Sequence, residues 1–263
     1  MFKTEVLVPY FFTKGLKGHI IMNEVALMLY DTKRTYKLSR NSDYFESIDS
    51  REKAYWLGIM YSDGCVCKRS NDRYSISLEM IDREHIEKFR NALGANNHKI
   101  LTTVRTNFNN AKSSYSIHIY DNKMAMDLIN LGCIPNKSFC LSSIPNISKE
   151  FIYDFLRGFI DGDGCICHNK RQDSYVFKLV GASPLFLKEV MKILEIDRLS
   201  LNKCSKTSYQ VTSGKREDIY RILTRVYEHS TEITRLDRKY NKYQEFIQWY
   251  EQKKNKKMDK KEK

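Results

Sequence analysis

Hydrophobic positions between residues 50 and 230 switch repeatedly between the spacing of a helix and the spacing of a strand. At 82–93, Ile86, Phe89 and Leu93 recur three and four residues apart, and Gly94 follows as a C-terminal stop. At 65–67 and 74–79, apolar and polar residues instead alternate on either side of a polar turn. The pattern therefore predicts strand pairs joined by amphipathic helices, which is an α+β organisation.

The same order of elements occurs twice along the chain. Each set has a helix, two strands, a second helix, two more strands and a third helix, and a further helix is predicted at 236–251. A repeat of this length indicates a duplicated domain rather than a solenoid. The first set is predicted at 50–61, 65–67, 74–79, 82–93, 99–106, 115–120 and 121–131, and the second at 149–163, 165–168, 175–179, 184–194, 199–206, 209–213 and 215–227.

Segments at both ends lie outside the two repeats. The extension at the N-terminus contains a candidate short helix capped by Asn23 and then a basic run. We interpret it as an arm on the first repeat or on DNA, with a remnant of a small DNA-binding helical unit as the alternative. The boundaries are 1–48 for this extension, 49–147 for the first repeat, 148–252 for the second repeat with its C-terminal helix, and 253–263 for a basic, disordered tail.

The first helix of each repeat ends in a related stretch, WLGIMYSDG at 56–64 and LRGFIDGDG at 156–164. Each stretch places two small residues one helical turn apart on one face. Small residues allow two helix backbones to approach closely, so the two helices are predicted to pack on each other. The small residues are Gly58 with Ser62 and Gly158 with Gly162.

Asp63 and Asp163 lie at the ends of these helices and are 163 − 63 = 100 positions apart. A helix C-terminus disfavours a carboxylate because it carries about −0.5 charge and unpaired carbonyl groups. Two neighbouring carboxylates also repel each other. A hard divalent cation such as Mg²⁺ or Ca²⁺ relieves both problems, since carboxylates and carbonyls are its preferred ligands. The alternative is that each Asp-Gly pair is only a turn after a helix.

Charge points to a polyanionic partner. The formal net charge is +13 and the pI is about 9.3. Such an excess favours nucleic acid as the partner, with an anionic membrane surface as the second candidate. The alternative is a basic protein whose charged surface is only solvated. The seven Cys residues have no disulfide-type spacing, and the first apolar run, VLVPYFF, is broken by Pro9. We therefore expect a soluble intracellular protein without a membrane partner, cytoplasmic or in an organellar matrix if organelle-encoded.

A Cys-x-Cys pair follows each stretch, as Cys65 with Cys67 and as Cys165 with Cys167. Four thiolates would suffice for a zinc site. The two side chains of each pair point the same way from a strand, however, and the pairs belong to duplicated strands. We interpret them as small buried or groove-facing residues.

The two stretches resemble the motif of the LAGLIDADG homing endonucleases, and the resemblance covers about residues 50–250. The second stretch is a close match with Arg157 in place of Ala, whereas the first has Tyr61 for the motif's first Asp and Ser62 for its second Ala. The resemblance implies a duplicated αββαββα fold, with central motif helices and two antiparallel sheets forming a saddle over DNA. It also implies a monomer with pseudo-two-fold symmetry that cuts both strands of a long asymmetric target and leaves 3′ overhangs.

The resemblance further implies catalytic residues. The second Asp of each motif, Asp63 and Asp163, would bind Mg²⁺, with Ca²⁺ or Mn²⁺ as other occupants, and the carbonyls of Ser62 and Gly162 would complete the metal site. In the family a basic residue late in each half polarises solvent at the site. By position these are Lys137, 137 − 63 = 74 residues after its Asp, and Lys239, 239 − 163 = 76 residues after. The alternative for both lysines is contact with phosphate or solvent only.

DNA contacts are expected on the strands and their turns, because a two-stranded β-ribbon fits the major groove. Arg and Gln side chains suit base edges, whereas Lys mostly contacts phosphate. Solvated hairpin turns are the alternative for each of them. The candidates are Lys68, Arg69, Arg73, Arg105 and Asn107 in the first repeat, and His168, Lys170, Arg171, Gln172, Lys203, Lys206 and Gln210 in the second.

Three functions compete on this basis. The first is a divalent-metal-dependent, site-specific DNA endonuclease, which the paired acids favour. The second is an intron RNA maturase, and the third is a catalytically silent DNA-binding regulator of the same fold. We expect a free-standing protein, encoded by a mobile intron or standing alone, rather than an intein.

Overall fold

Two helices, α1 (Arg51–Ser62) and α5 (Ile152–Asp163), make the most extensive contact between any two elements of the described chain. The computed structural model describes residues 39–104, 113–195 and 199–259. Helix α1 begins after Ser50, whose hydroxyl accepts a hydrogen bond of 3.2 Å from the Lys53 backbone N–H. One helix comes from each repeat, as the sequence predicts.

The crossing point of α1 and α5 is a backbone-to-backbone contact at two glycines. A Cβ atom at Gly58 would lie 2.1 Å from the carbonyl oxygen of Phe155, and one at Gly158 would lie 2.1 Å from that of Tyr55. No real Cβ tolerates such a distance, so the helices approach this closely only because neither residue has a side chain.

The strands of the described chain form two four-stranded antiparallel sheets with the same order of strands, β1-β2-β4-β3 and β5-β6-β8-β7. Each sheet begins directly after its motif helix, and this confirms the predicted α+β class. The strands of the first sheet are β1 (Gly64–Lys68), β2 (Tyr74–Met80), β3 (Ile100–Thr103) and β4 (Ser114–Ile119); those of the second are β5 (Gly164–Asn169), β6 (Ser174–Gly181), β7 (Ser200–Lys203) and β8 (Tyr209–Ser213).

One face of each sheet is covered by helices. The other, called the open face here, carries mostly polar side chains, although Ser75, Ser114 and Ser116 on that face of the first sheet are buried. Apolar side chains such as Ile76 and Leu78 on β2 and Phe177 on β6 are buried under the helices, whereas their strand neighbours point the other way. The remaining helices are α2 (Arg83–Ala92), α3 (Asn122–Asn130), the short α4 (Lys137–Cys140), α6 (Pro184–Leu194), α7 (Arg216–Tyr227) and α8 (Asp237–Asp259). A 3₁₀ turn, Lys149–Phe151, precedes α5.

Both predicted outer boundaries of the repeats differ from the structure. The compact unit starts at Ser39 rather than 49, because Phe45 is fully buried in the core and Ser42 donates a 2.6 Å hydrogen bond to Asp121. At the other end, α8 continues to Asp259 instead of stopping near 252, since Lys253 forms an ion pair with Asp173 of the second sheet. The predicted helix and most of the basic run of the N-terminal extension lie outside the described residues.

In the described part of the chain, no helix combines the length and apolarity that crossing a membrane requires.

The glycine contact predicts a large effect of one methyl group. We expect Gly58→Ala, and equally Gly158→Ala, to lower the free energy of unfolding by about 3 kcal/mol or more, because the added Cβ forces the helix backbones apart. Urea denaturation measures this. Gly214→Ala is the matched control, since its Cβ would meet nothing within 4 Å, and equal stability of Gly58→Ala and Gly214→Ala would contradict the prediction.

Candidate active site

The C-terminal ends of α1 and α5 meet at one junction. A Cβ atom at Gly162 would lie 2.0 Å from the Ser62 hydroxyl oxygen and 2.6 Å from Oδ2 of Asp63. The Asp63 carboxylate therefore lies against the last turn of the opposite helix, which ends at Asp163. The predicted convergence of the two acids is supported by this contact and by the repulsion that Asp63 exerts on Asp163.

Both carboxylates are partly buried. Burial raises the pKa of Asp63, although the nearby Lys239 and Lys137 oppose this. Burial and then the charge of Asp63 raise the pKa of Asp163 from 3.8 to about 7. Among the described residues, no group donates a hydrogen bond to either carboxylate. Two adjacent acids are thus held together without the donors that would satisfy their oxygens.

This donor set fits a hard divalent cation. Carboxylate oxygens are the ligands that Mg²⁺ and Ca²⁺ prefer, and Mg²⁺ is commonly held by one or two carboxylates with water or substrate phosphate as the other ligands. Within the described ranges, no group of three His, Cys, Asp or Glu side chains is arranged to hold a metal. Asp63 and Asp163 would therefore supply the anionic ligands, and carbonyl, water or phosphate oxygens would supply the rest.

Lys137 and Lys239 occupy equivalent positions under the two helix ends, 7% and 8% exposed. The Lys137 ammonium donates to the carbonyl oxygens of Ser62, at 3.2 Å, and of Gly64. The Lys239 ammonium donates to those of Ile160 at 3.2 Å, Gly162 at 3.4 Å and Gly164. Each lysine thus binds the turn that carries its aspartate and places a positive charge at a helix C-terminus, where it is stabilising.

One residue on each motif helix, Asp161 on α5 and Tyr61 on α1, occupies the equivalent motif position and connects its helix to the segment before the lysine. Asp161 is fully buried and accepts hydrogen bonds from the hydroxyls of Tyr55 (2.9 Å) and Tyr227 (2.6 Å) and from the Leu236 backbone N–H (2.8 Å). Its counterpart Tyr61 donates to the carbonyl of Leu131. Sequence reasoning assigned neither a role, although their shared place in the repeated stretch was a usable signal.

Arg157, which stands where the motif has Ala, is buried and has a structural role. It is 1% exposed, and it donates to the carbonyls of Thr234 (2.7 Å) and Val226 (2.9 Å) and to Asp154 (2.7 Å). A buried charge requires such complete pairing. Arg157 therefore holds the segment before α8 rather than reaching the junction.

A cleft of about 490 Å³ opens beside the junction. It lies between the end of the first sheet and the start of α8, whose Arg238 is held by Asp82 at 2.8 Å. Its lining residues are Asp63, Glu79, Met80, Ile81, Ser114, Gly162 and Arg238.

The twelve predicted DNA-contacting residues fall into four groups. Six lie exposed at turns or strand ends: Arg73, Lys170, Arg171, Gln172, Lys203 and Lys206. Others are engaged by neighbours: Lys68 with Asp72 at 2.9 Å, Arg69 with the Ser75 hydroxyl at 2.9 Å, and His168 in a ring stack on Tyr175. Gln210 pairs with Asn202 on the open face, and Arg105 and Asn107 lie outside the described residues.

His168 in particular lies on the helix-covered side of the second sheet. It shares the strand face of the core residue Ile166, and its ring is centred 4.4 Å from that of the buried Tyr175. Strand alternation instead puts a different polar set on the open faces: Ser77, Glu79 and His118 in the first sheet, and Lys178, Asn202 and Thr212 in the second. These residues could have been predicted from the sequence, because side chains one position away from a core residue on a strand point to the opposite face.

The raised pKa of Asp163 predicts a pH dependence of stability. Between about pH 4 and pH 7 the folded chain holds a proton that the unfolded chain has lost, so the free energy of unfolding falls as pH rises through this window. Asp163→Asn removes that contribution. Without divalent metal, we expect the variant to exceed the wild type in stability above about pH 7 by on the order of 2 to 4 kcal/mol.

Urea denaturation at a series of pH values, with a chelator present, measures this effect. Asp43→Asn is the control, because that carboxylate is 65% exposed and far less constrained. Parallel stability curves for the wild type and Asp163→Asn across the window would show that Asp163 ionises normally.

The lysine contacts predict a second effect on stability. We expect Lys137→Met and Lys239→Met each to lower the free energy of unfolding by about 1 to 3 kcal/mol, because buried carbonyls lose their donor. Thermal or urea unfolding checks this against Lys192→Met, whose side chain is 73% exposed. The prediction fails if the buried and the exposed replacements cost the same.

Comparison with known proteins finds a related family and related folds. Residues 150–236 match the LAGLIDADG-like domain family. An uncharacterised protein of Methanocaldococcus jannaschii is 29% identical over 148 residues, which are 56% of this chain and 51% of that protein. The chain thus spans about half the length of this curated relative.

Two solved structures share the fold. The LAGLIDADG homing endonuclease I-GzeII, in complex with a DNA target, has a TM-score of 0.51 at 11% identity, covering 78% of this chain and 91% of that one. I-SmaMI, bound to an uncleaved DNA target in the presence of calcium ions, has a TM-score of 0.51 at 14% identity, covering 78% and 92%. Residues 150–236 of this chain are therefore similar to the LAGLIDADG-like domain family, and the chain has the fold of the two homing endonuclease structures.

Proposed function

We propose that this chain is a site-specific DNA endonuclease that hydrolyses both strands of a double-stranded target with a divalent metal ion. The observation that carries the proposal is the pair Asp63 and Asp163, one from each repeat, brought to one junction where no described residue donates a hydrogen bond to them. A silent DNA-binding protein gains nothing from this arrangement, because two carboxylates repel both each other and phosphate.

The chemistry needs an aligned water, stabilisation of charge on the phosphate and a stabilised leaving oxygen. A bound divalent cation supplies Lewis-acid stabilisation of these charges. Asp63 and Asp163 would bind and orient it, with the carbonyls of Ser62 and Gly162 nearby. Lys137 and Lys239 hold the two aspartate-bearing turns in place through their carbonyl contacts and add positive charge where phosphate would enter.

Mg²⁺ is the cation we propose for the native site. Two carboxylates with few other side-chain ligands suit an ion that retains water and binds substrate phosphate. I-SmaMI, which shares the fold, is bound to uncleaved DNA in the presence of calcium ions, and this supports a site for a hard divalent ion here.

The two open sheet faces would bind the DNA. Both sheets lead away from the junction, and a β-ribbon fits the major groove. Their polar side chains differ. The first face carries Ser77 paired with His118, whereas the second carries Lys178 paired with Thr212, and also Asn202. A target read by two different faces is asymmetric. The net charge of +13 adds salt-dependent phosphate affinity.

One chain would suffice for cutting both strands. The two motif helices already pack on each other within the chain, so a second copy is not needed to complete the junction. We accordingly propose a monomer with pseudo-two-fold symmetry that leaves 3′ overhangs, encoded by a mobile intron or standing alone.

The test is cleavage of a randomised double-stranded DNA library with Mg²⁺, followed by sequencing of the cut ends. We expect the wild type to yield one long asymmetric site. Asp63→Asn and Asp163→Asn should bind that site with similar affinity but cut it at least about 10²-fold more slowly, because each removes an anionic metal ligand.

Asp43→Asn is the matched control, since it makes the same chemical change at a surface carboxylate. Gel-shift and cleavage assays separate binding from chemistry. Cleavage by either junction variant at the rate of Asp43→Asn would refute the assigned roles, and absence of any selected site would refute the nuclease.

A further inference from the structure

The turn that joins β5 to β6 is held by the last helix. Asp173 in this turn accepts a hydrogen bond of 2.8 Å from the indole N–H of Trp249 and forms an ion pair of 2.5 Å with Lys253, and both partners lie on α8. The Trp249 ring also packs on the ring of Tyr175 in β6, with centroids 5.1 Å apart, and His168 stacks on the same tyrosine. Helix α8 therefore fixes the turn through three side chains, Asp173, Trp249 and Lys253, which we call the turn clamp.

Asp173 combines a charge and an unusual backbone conformation. The Lys253 ammonium, and after it the Trp249 N–H, lower the pKa of Asp173 to about 2, so the carboxylate is ionised at neutral pH. Its φ is +44°, a value at which Asp and Asn are several-fold enriched among residues other than glycine. An Asn at this position would therefore keep the backbone conformation and remove the charge.

The equivalent turn of the first sheet lacks the turn clamp. Asp72 lies two residues before Tyr74, as Asp173 lies two residues before Tyr175, and it also has a positive φ, of +50°. Asp72 is 87% exposed and forms an ion pair with Lys68, which is itself 58% exposed. Exposed ion pairs of this kind contribute little to stability. The first turn is therefore held less firmly than the second.

Helix length explains this difference between the repeats. In the second repeat, the helix that contains the junction lysine is α8, which continues for 23 residues and reaches the turn. In the first repeat, the helix that begins at the junction lysine is α4, which ends after four residues at Cys140. It is too short to reach the turn of its own sheet.

The clamped turn presents three exposed polar side chains, Lys170, Arg171 and Gln172. The Asn169 side chain accepts hydrogen bonds from the backbone N–H groups of Arg171 (3.1 Å) and Gln172 (3.3 Å), so the turn is also ordered internally. Strand β5 carries it about 20 Å from the junction, at about 3.3 Å per residue. A recognition segment that is fixed before binding pays less ordering entropy, whereas one that can move adapts more readily to a wrong base.

We propose that Asp173, Trp249 and Lys253 are positioning residues that fix the turn at 170–172 for reading base pairs toward one end of the DNA target. The half of the target beneath the second sheet is then read more stringently at its end than the half beneath the first sheet. This inference rests on the proposed binding of DNA by the two sheets, and it does not require hydrolysis.

The experiment is selection of bound sequences from a randomised double-stranded DNA library in the presence of Ca²⁺, and cutting is not required. Discrimination against a wrong base pair is ordinarily roughly 5- to 150-fold. In Asp173→Asn and Trp249→Phe, we expect it to fall to within about 2-fold at positions toward one end of the selected site and to stay unchanged elsewhere. Asp72→Asn is the matched control, because it makes the same change at the equivalent turn, and it should keep the wild-type pattern.

The indole N–H resonance of Trp249 shows whether the clamp forms in the chain without DNA. The chain has two tryptophans, and we expect the Trp249 signal to shift in Asp173→Asn but not in Asp72→Asn. An unshifted signal would overturn the inference, as would unchanged discrimination in Asp173→Asn, or a loss spread evenly over the whole site, which would indicate a purely structural role. Selection of no sequence by the wild type would refute the proposed DNA binding as well, whereas selective binding without cutting in Mg²⁺ would refute only the nuclease.

Discussion

The close approach of Gly58 and Gly158 is the constraint on which the rest of the structure depends. Because the backbones of α1 and α5 touch there, the two helices end at the same place four to five residues later. The acids at those ends are therefore brought together by the backbones of their helices and not by hydrogen bonds from other described residues to their side chains. The first strand of each sheet starts at the next residue, so the same contact also fixes how the two sheets begin.

The order and approximate bounds of the elements could be predicted from sequence, because the change from helical to alternating spacing is clear within each repeat. The boundaries at the two ends could not. Phe45 is buried by tertiary packing in a stretch too short to show periodicity, and the end of α8 is held by the contact of Lys253 and Trp249 with Asp173. Neither contact has a local sequence signal.

The acids of the site were predictable and their surroundings were only partly so. Repetition of a motif identified Asp63 and Asp163. The family resemblance, supported by similar spacings of 74 and 76 residues, identified Lys137 and Lys239, but the direction of each ammonium toward backbone carbonyls depends on how α4 and α8 pack. The DNA contacts were chosen by residue type at turns. Strand parity decides which side chains reach an open face, and it favours Lys178 over His168.

Within one motif, the environment assigns two carboxylates to different tasks. Asp161 and Asp163 are two residues apart on α5, and burial raises the pKa of both. Asp161 has three donors that satisfy its oxygens, so it serves the interior and orders the segment leading to Lys239. Asp163 has no donor among the described residues and faces a second acid, which leaves its oxygens available for a cation. In the first repeat the neutral Tyr61 stands at the position of Asp161 and makes the equivalent contact with the interior. The first Asp of the motif can therefore be replaced while Asp63 and Asp163 are kept at the junction.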